Sequence, residues 1–203
     1  MKIVLATRDA DQLRIMRNVM KRTGVELVLL EELDGEPPEI PRDGTTFAQN
    51  AMLKASALAR WANLPVLAED SGLEVRALGG APGVDSPVFA GEDGEANADV
   101  LLERMSAVPG NERHAQYTCA VCLSAPDGRH WEAEGHAEGM ITTQKKGYGG
   151  SGYDPVFFFP AAGMTFAEMP PMIRSTVSHL LRALEELERR LPAIVRDLEK
   201  TGF

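Results

Sequence analysis

The chain has 203 residues, 44% hydrophobic, 25% charged and 6% aromatic, which excludes a disordered chain or a small disulfide-stapled scaffold; at this length about 70% of the unfolded surface is buried on folding, so a core needs neither disulfide nor metal. Thirty Asp and Glu against 21 Lys and Arg leave a net charge of −9, which would repel duplex DNA and excludes non-specific binding to nucleic acid. A small anionic substrate fits that charge only where local cations and a metal oppose the global field.

Ile3 to Ala6 is an apolar run suited to a buried strand and too short for a signal peptide. No stretch approaches the roughly 18 apolar residues of a membrane span, so a cytoplasmic protein with no membrane partner is expected. Leu13, Met16, Val19 and Met20 recur at helical spacing from Asp11 to Arg22, with Gly24 as the stop. Glu26 to Leu30 reads as a second strand, and Glu31 to Arg42, with Pro37, Pro38 and Pro41 among acids, as an irregular loop. Thr45 or Thr46 supplies the N-cap of an Ala-rich helix through Ala62, with Phe47, Ala51, Lys54 and Leu58 spaced along it. Pro65 to Ala68 predicts a short buried strand running into Glu69-Asp70-Ser71-Gly72. Two acids and a hydroxyl then stand at a strand's end, where a rigid element positions them and the following loop leaves access.

Val75 to Gly83 is a loop rich in Gly and Pro, and Ala96 to Met105 a helix stopped by Pro109-Gly110. Ala115 to Ser124 and Trp131 to Ile141 flank Asp127-Gly128, the signal of a long antiparallel hairpin. Cys119 and Cys122 have the spacing of a redox pair or half a zinc site, but with no second pair and apolar residues between them they read as buried strand residues. Gly147 to Gly152 predicts a flexible loop, Val156 to Phe159 a strand, and Ser175 to Leu191 a helix with Leu180, Leu184, Leu187 and Leu191 on one stripe. The fold class is mixed α/β with a long central sheet.

Eight segments, in order, resemble one family. They are Thr46 to Ala55 (TFAQNAMLKA), Ala68 to Val75 (AEDSGLEV), Leu78 to Val84 (LGGAPGV), Ala90 to Asp93 (AGED), Ala125 to Gly128 (APDG), Gly152 to Phe157 (GYDPVF), Thr165 to Met169 (TFAEM) and Ser178-His179. Together they are similar to the Ham1, or inosine triphosphatase, family of noncanonical purine nucleoside triphosphate pyrophosphatases. The resemblance implies a single domain over residues 1–203, with two α/β lobes around an elongated mixed sheet and a central cleft, working as a homodimer. It also implies Mg²⁺-dependent hydrolysis of ITP, dITP and XTP to the monophosphate and pyrophosphate. Asp70 and Glu69 would be the catalytic carboxylates, and Glu69, Asp70 and Gln49 the metal ligands. Thr7 and Arg8 would follow the first strand at the phosphates, joined by Lys54 and Arg174, with Ser71 beside the acids. Tyr153 and Asp154 would lie at the base, and Ser178 and His179 would read the purine oxygen.

Departures from the family pattern fall on the expected site. Asp9 and Gln12 stand where the family has Asn and Lys in the loop that grips the triphosphate, and Asp11 adds a further negative charge. Each such change of one unit charge beside a phosphate shifts its energy by several kcal/mol at an effective dielectric of about 20. Gln49 replaces a Glu, Ser151 an aromatic residue, Leu180 and Val88 each an Arg, and Ser175 an Asn, while Arg174 keeps the charge of a Lys. Three readings stay open on the sequence: an active pyrophosphatase, a divergent member acting on another nucleotide-like substrate, and a catalytically impaired binding or regulatory protein.

Overall fold

Ile3, Val4 and Leu5 are at most 1% exposed and form the core of strand β1 (Lys2–Leu5). The computed structural model describes residues 1–91, 96–200 and 202; Glu92 and Asp93, quoted above within the Ala90 to Asp93 segment, lie outside the described residues. Helix α1 (Ala10–Met20) buries Met16, Val19 and Met20, and ends in a 3-10 turn and Gly24, whose φ of 74° suits a residue without a Cβ. Strand β2 (Glu26–Leu29) pairs in parallel with β1 from Lys2 opposite Glu26 to Leu5 opposite Leu29.

Thr46 caps α2 (Phe47–Ala62) by accepting from Gln49 N, and Ala51, Ala55, Leu58 and Ala59 bury one face of the helix. Strand β3 (Val66–Val75) pairs with β1 in parallel only at Val4 with Val66 and Leu5 with Leu67. The expected strand end at Ala68 is corrected here: β3 runs on through Glu69-Asp70-Ser71-Gly72 to Val75, because Leu73 and Val75 are fully buried. Gly72 is a close-approach position rather than a turn. A Cβ built there would meet Ser86 Oγ at 2.4 Å, and that hydroxyl accepts from Leu73 N at 2.8 Å.

Helix α3 (Asn97–Arg104) follows, then the hairpin strands β4 (His114–Ser124) and β5 (His130–Ile141), which turn at Asp127-Gly128 with Gly128 at φ 94°. Strands β6 (Phe157–Phe159) and β7 (Met164–Thr165) add on antiparallel, completing a seven-stranded mixed sheet in the order β2-β1-β3-β4-β5-β6-β7. The expected helix from Ser175 to Leu191 is instead two, α4 (Pro171–Val177) and α5 (His179–Glu199), broken at Ser178, which is extended at ψ 148°. Hydroxyls explain the break: Ser175, Thr176 and Ser178 each donate to the carbonyl three residues back, competing with the helical ladder.

The chain divides into two compact units, the first comprising Met1–Asp70, Cys119–Gly135 and the residues from Leu180 onward, the second Ser71–Thr118 and His136–His179. The first has a core of Ile3, Leu5, Met16, Met20, Leu67, Val121 and Leu123 closed by the α5 stripe Leu180, Leu184, Leu187 and Leu191. Cys119 and Cys122 are free, buried thiols on β4, and burial pushes Cys122 up to about 12. The second core gathers Leu73, Val75, Leu101, Met105, Tyr117, Phe157 and Phe166. Among the described residues, no helix is long and apolar enough to cross a membrane.

Candidate active site

In the first unit the sheet order reverses at β1, whose neighbours are β2 on one side and β3 on the other. Open α/β sheets bind ligands outside the carboxyl ends of their strands at such a switch point. Glu69 and Asp70 stand there, two and three residues beyond the last pairing of β3 with β1 at Leu67.

The β1–α1 turn is tied to itself. Asp9 is the N-cap of α1 and accepts from Gln12 N at 2.8 Å, so its charge sits at a helix N-terminus. Thr7 Oγ1 donates to Gln12 Oε1 at 2.5 Å and accepts from Asp9 N at 3.2 Å. Arg8 alone of this turn lines the neighbouring cavity, and it also pairs with Glu31 at 3.8 Å.

That cavity, about 730 Å³, is lined by Arg8, Arg42, Asn50, Lys54, Glu69 and Asp70, together with Glu36, Glu39 and the prolines of the loop after β2. Asn50, Lys54 and Leu58 reach it from one face of α2 because residues four apart stack along a helix. Asp70 accepts three hydrogen bonds. Arg42 donates to it twice, Nε to Oδ1 at 2.7 Å and Nη2 to Oδ2 at 3.0 Å, and Asn50 Nδ2 donates to Oδ2 at 3.0 Å. Glu69 is 8% exposed and takes a long contact from Cys119 Sγ at 3.9 Å. Gln49 is not brought to these acids: its Oε1 accepts from Thr45 N and Thr45 Oγ1, both at 2.8 Å, at the start of α2. Among the described residues, no three His, Cys, Asp or Glu side chains converge as a metal cluster. Two carboxylates with three nearby cations can hold a hard cation and an oxyanion in one cavity.

The other expected residues lie in the second unit. Ser71 follows Asp70 along β3 and is half-buried. Asp154 accepts from Tyr117 Oη at 3.2 Å and from Ser151 N at 3.2 Å, and lies 3.6 Å from Arg174 Nη1. Burial raises its pKa above the ordinary carboxylate value, and these partners pull it part of the way back. Gly150 is required beside it, since its φ is 75° and a Cβ there would fall 2.1 Å from Asp154 Oδ2. Tyr153 is turned away, donating its hydroxyl to Ser86 O at 2.9 Å. His179, the first residue of α5, stacks on Tyr117 with centroids 4.9 Å apart and planes 10° off parallel, and Tyr117 stacks on Phe166 in turn. Nδ1 of His179 is buried with no hydrogen-bond partner among the described residues. Desolvation, with His136 contributing, lowers His179 to about 4, so the ring is neutral near pH 7. Ser178 Oγ donates to Ser175 O, and Leu180, which stands where a cation was expected, is 5% exposed in the first core.

Sequence reasoning passed over Arg42, Asn50 and Tyr117 as site residues. A signal existed for Arg42, the single cation among six acids between Glu31 and Gly44. Tyr117 was hidden because only the fold sets it against Asp154.

The Ham1 family model matches residues 3–190. The chain belongs to the Ham1 family. Among its relatives, the dITP/XTP pyrophosphatase of Desulforamulus reducens is 43% identical over 188 residues, 92% of this chain and 93% of that protein. The enzyme of the same name from Leuconostoc mesenteroides is 39% identical over 196 residues, 95% and 97% of the two chains. A solved Ham1 protein from Coxiella burnetii superposes with a TM-score of 0.87 at 32% identity, covering 95% of this chain and 99% of that one. The Staphylococcus aureus Ham1 protein follows at 0.84, with 32% identity and coverage of 95% and 99%.

Proposed function

We propose that this Ham1-family chain hydrolyses noncanonical purine nucleoside triphosphates, dITP, XTP and ITP, to the monophosphate and pyrophosphate with Mg²⁺. The observation that carries the reading is the cavity beyond the carboxyl end of β1, where Glu69 and Asp70 share one space with Arg8, Arg42 and Lys54. Near full-length relatives named dITP/XTP pyrophosphatase support it. A binding-only role is less favoured because the departures have uses in the fold: Asp9 caps α1, Gln49 holds Thr45, and Leu180 fills the core.

Glu69 and Asp70 would hold Mg²⁺, and the donor set fits, because this ion is commonly bound by one or two carboxylates and completes its shell with water and phosphate oxygens. When bound, it supplies charge neutralisation at the reacting phosphate. Arg8 and Lys54 bind phosphate oxygens as cations. Asp70 accepts the proton of the attacking water, and Asn50 fixes the carboxylate's orientation through its bond to Oδ2. Asp154 serves the base: a carboxylate accepts from the N1–H that 6-oxo purines carry and adenine lacks, and Arg174 and Tyr117 hold it in place. His179, neutral near pH 7, offers a ring nitrogen to the base without adding charge. The chain works as one domain over residues 1–203, as a cytoplasmic homodimer, and light scattering of the purified protein checks the stoichiometry.

The test is pyrophosphate release from dITP and XTP with Mg²⁺, against Asp70→Asn. Loss of a positioned general base lowers turnover by about 10²–10⁴-fold; equal rates for the two proteins would sink the reading.

A further inference from the structure

Asp70 already accepts from three donors, which leaves little of the carboxylate for a metal ion. A carboxylate oxygen offers two lone-pair directions, so Oδ2, which accepts from both Arg42 and Asn50, is filled, and Oδ1, which accepts from Arg42, has one direction left. The planar guanidinium fork that fits a carboxylate fits a phosphate equally well. Arg42 lies in a stretch with no helix or strand between Glu32 and Phe47. That stretch is tied to α2 beyond Arg42 by Gly44 N on Asn50 Oδ1 and Thr45 N on Gln49 Oε1. The Arg42 side chain is 34% exposed, against 13% for Asp70, and its residue lies outside every helix and strand. The cavity it faces has only Arg8 and Lys54 as further cations among the described residues, against Glu36, Glu39, Glu69 and Asp70.

We propose that Arg42 is a movable phosphate clamp: it neutralises Asp70 in the ligand-free chain, yields that carboxylate to a divalent cation, and transfers its guanidinium to the oxygens of the polyphosphate. The inference deepens the proposed function, since it rests on Asp70 as a metal ligand and on this cavity as the phosphate site. Removing the guanidinium then has two effects of opposite sign, loss of a competitor for the cation and loss of a partner for the phosphate. A merely structural Arg42 would move both affinities the same way, or neither.

Titration calorimetry on the full chain tests it, with Mg²⁺ alone and then with inorganic tripolyphosphate at saturating Mg²⁺, for wild type, Arg42→Gln and Arg42→Lys. Circular dichroism checks that each variant is folded. For Arg42→Gln the Kd for Mg²⁺ falls about fivefold and the Kd for tripolyphosphate rises about tenfold, the scale of one charge-assisted pair. Arg42→Lys, with the charge but not the fork, falls between wild type and Arg42→Gln on both. The proposal is overturned if Arg42→Gln leaves either constant within about twofold of wild type or shifts both in the same direction. Neither probe is a purine nucleotide. A chain that turns over no dITP or XTP yet passes this test loses the proposed function and keeps the clamp, and failure here with turnover intact loses the clamp alone.

Discussion

Lowering the pH from 7 to 4.5 charges His179 in the unfolded chain but not in the folded one. Its buried Nδ1 has no hydrogen-bond partner among the described residues, its ring lies 4.9 Å from that of Tyr117, and desolvation holds it to about 4 against an ordinary 6.5. Between those values the unfolded chain binds about one more proton than the folded chain, and stability changes with pH in proportion to that difference, by about 1.4 kcal/mol per unit. The sign follows: the contribution is fully present above pH 6.5, is lost as pH falls toward 4, and loses nothing further below. Over the drop from 7 to 4.5 it amounts to about 2 kcal/mol, allowing for the residue's partial exposure. The perturbation is His179→Asn, which removes the titrating group, and the assay is urea unfolding of both proteins at steps of half a pH unit. Groups that His179 does not touch are common to both proteins and drop out of the difference. The variant should lose about 2 kcal/mol less than wild type between pH 7 and 4.5. Parallel pH profiles for the two proteins would refute the assignment of a neutral, desolvated His179.

Two further expectations are more local. Leu187→Ala removes a fully buried side chain from the α5 stripe and should lower unfolding free energy by about 2–5 kcal/mol in urea; a loss under about 1 kcal/mol would mean that the α5 contact is loosely packed. Gln49→Glu adds a carboxylate at the start of α2 but should leave the calorimetric Kd for Mg²⁺ within about twofold, because its oxygen stays on Thr45 N and Oγ1; tighter binding would show that residue 49 swings to the metal.

Periodicity and turn chemistry made much of the fold legible. The α5 stripe follows from leucines three and four residues apart, and the β4–β5 hairpin from Asp127-Gly128, because each signal lies within one element. Ser71-Gly72 misled for a physical reason. The pair looks like a turn, yet Gly72 is set by Ser86, 14 residues away, and the strand continues to Val75. The single helix expected from Ser175 failed because three hydroxyls bond back onto their own turn. At the site, Asp9 was legible as a charge but not as the N-cap of α1, because that role depends on where the helix starts. Arg42 meets Asp70 across 28 residues, and Tyr117 meets Asp154 across 37, and no local pattern encodes either pair.

Following the phosphorus nuclei during turnover tests the central claim most directly. With Mg²⁺ and dITP, ³¹P NMR should show dIMP and pyrophosphate growing together, and Asp70→Asn should slow both by at least about 100-fold. Appearance of dIDP with inorganic phosphate, no turnover by the wild type, or an Asp70→Asn protein as fast as the wild type would contradict the account.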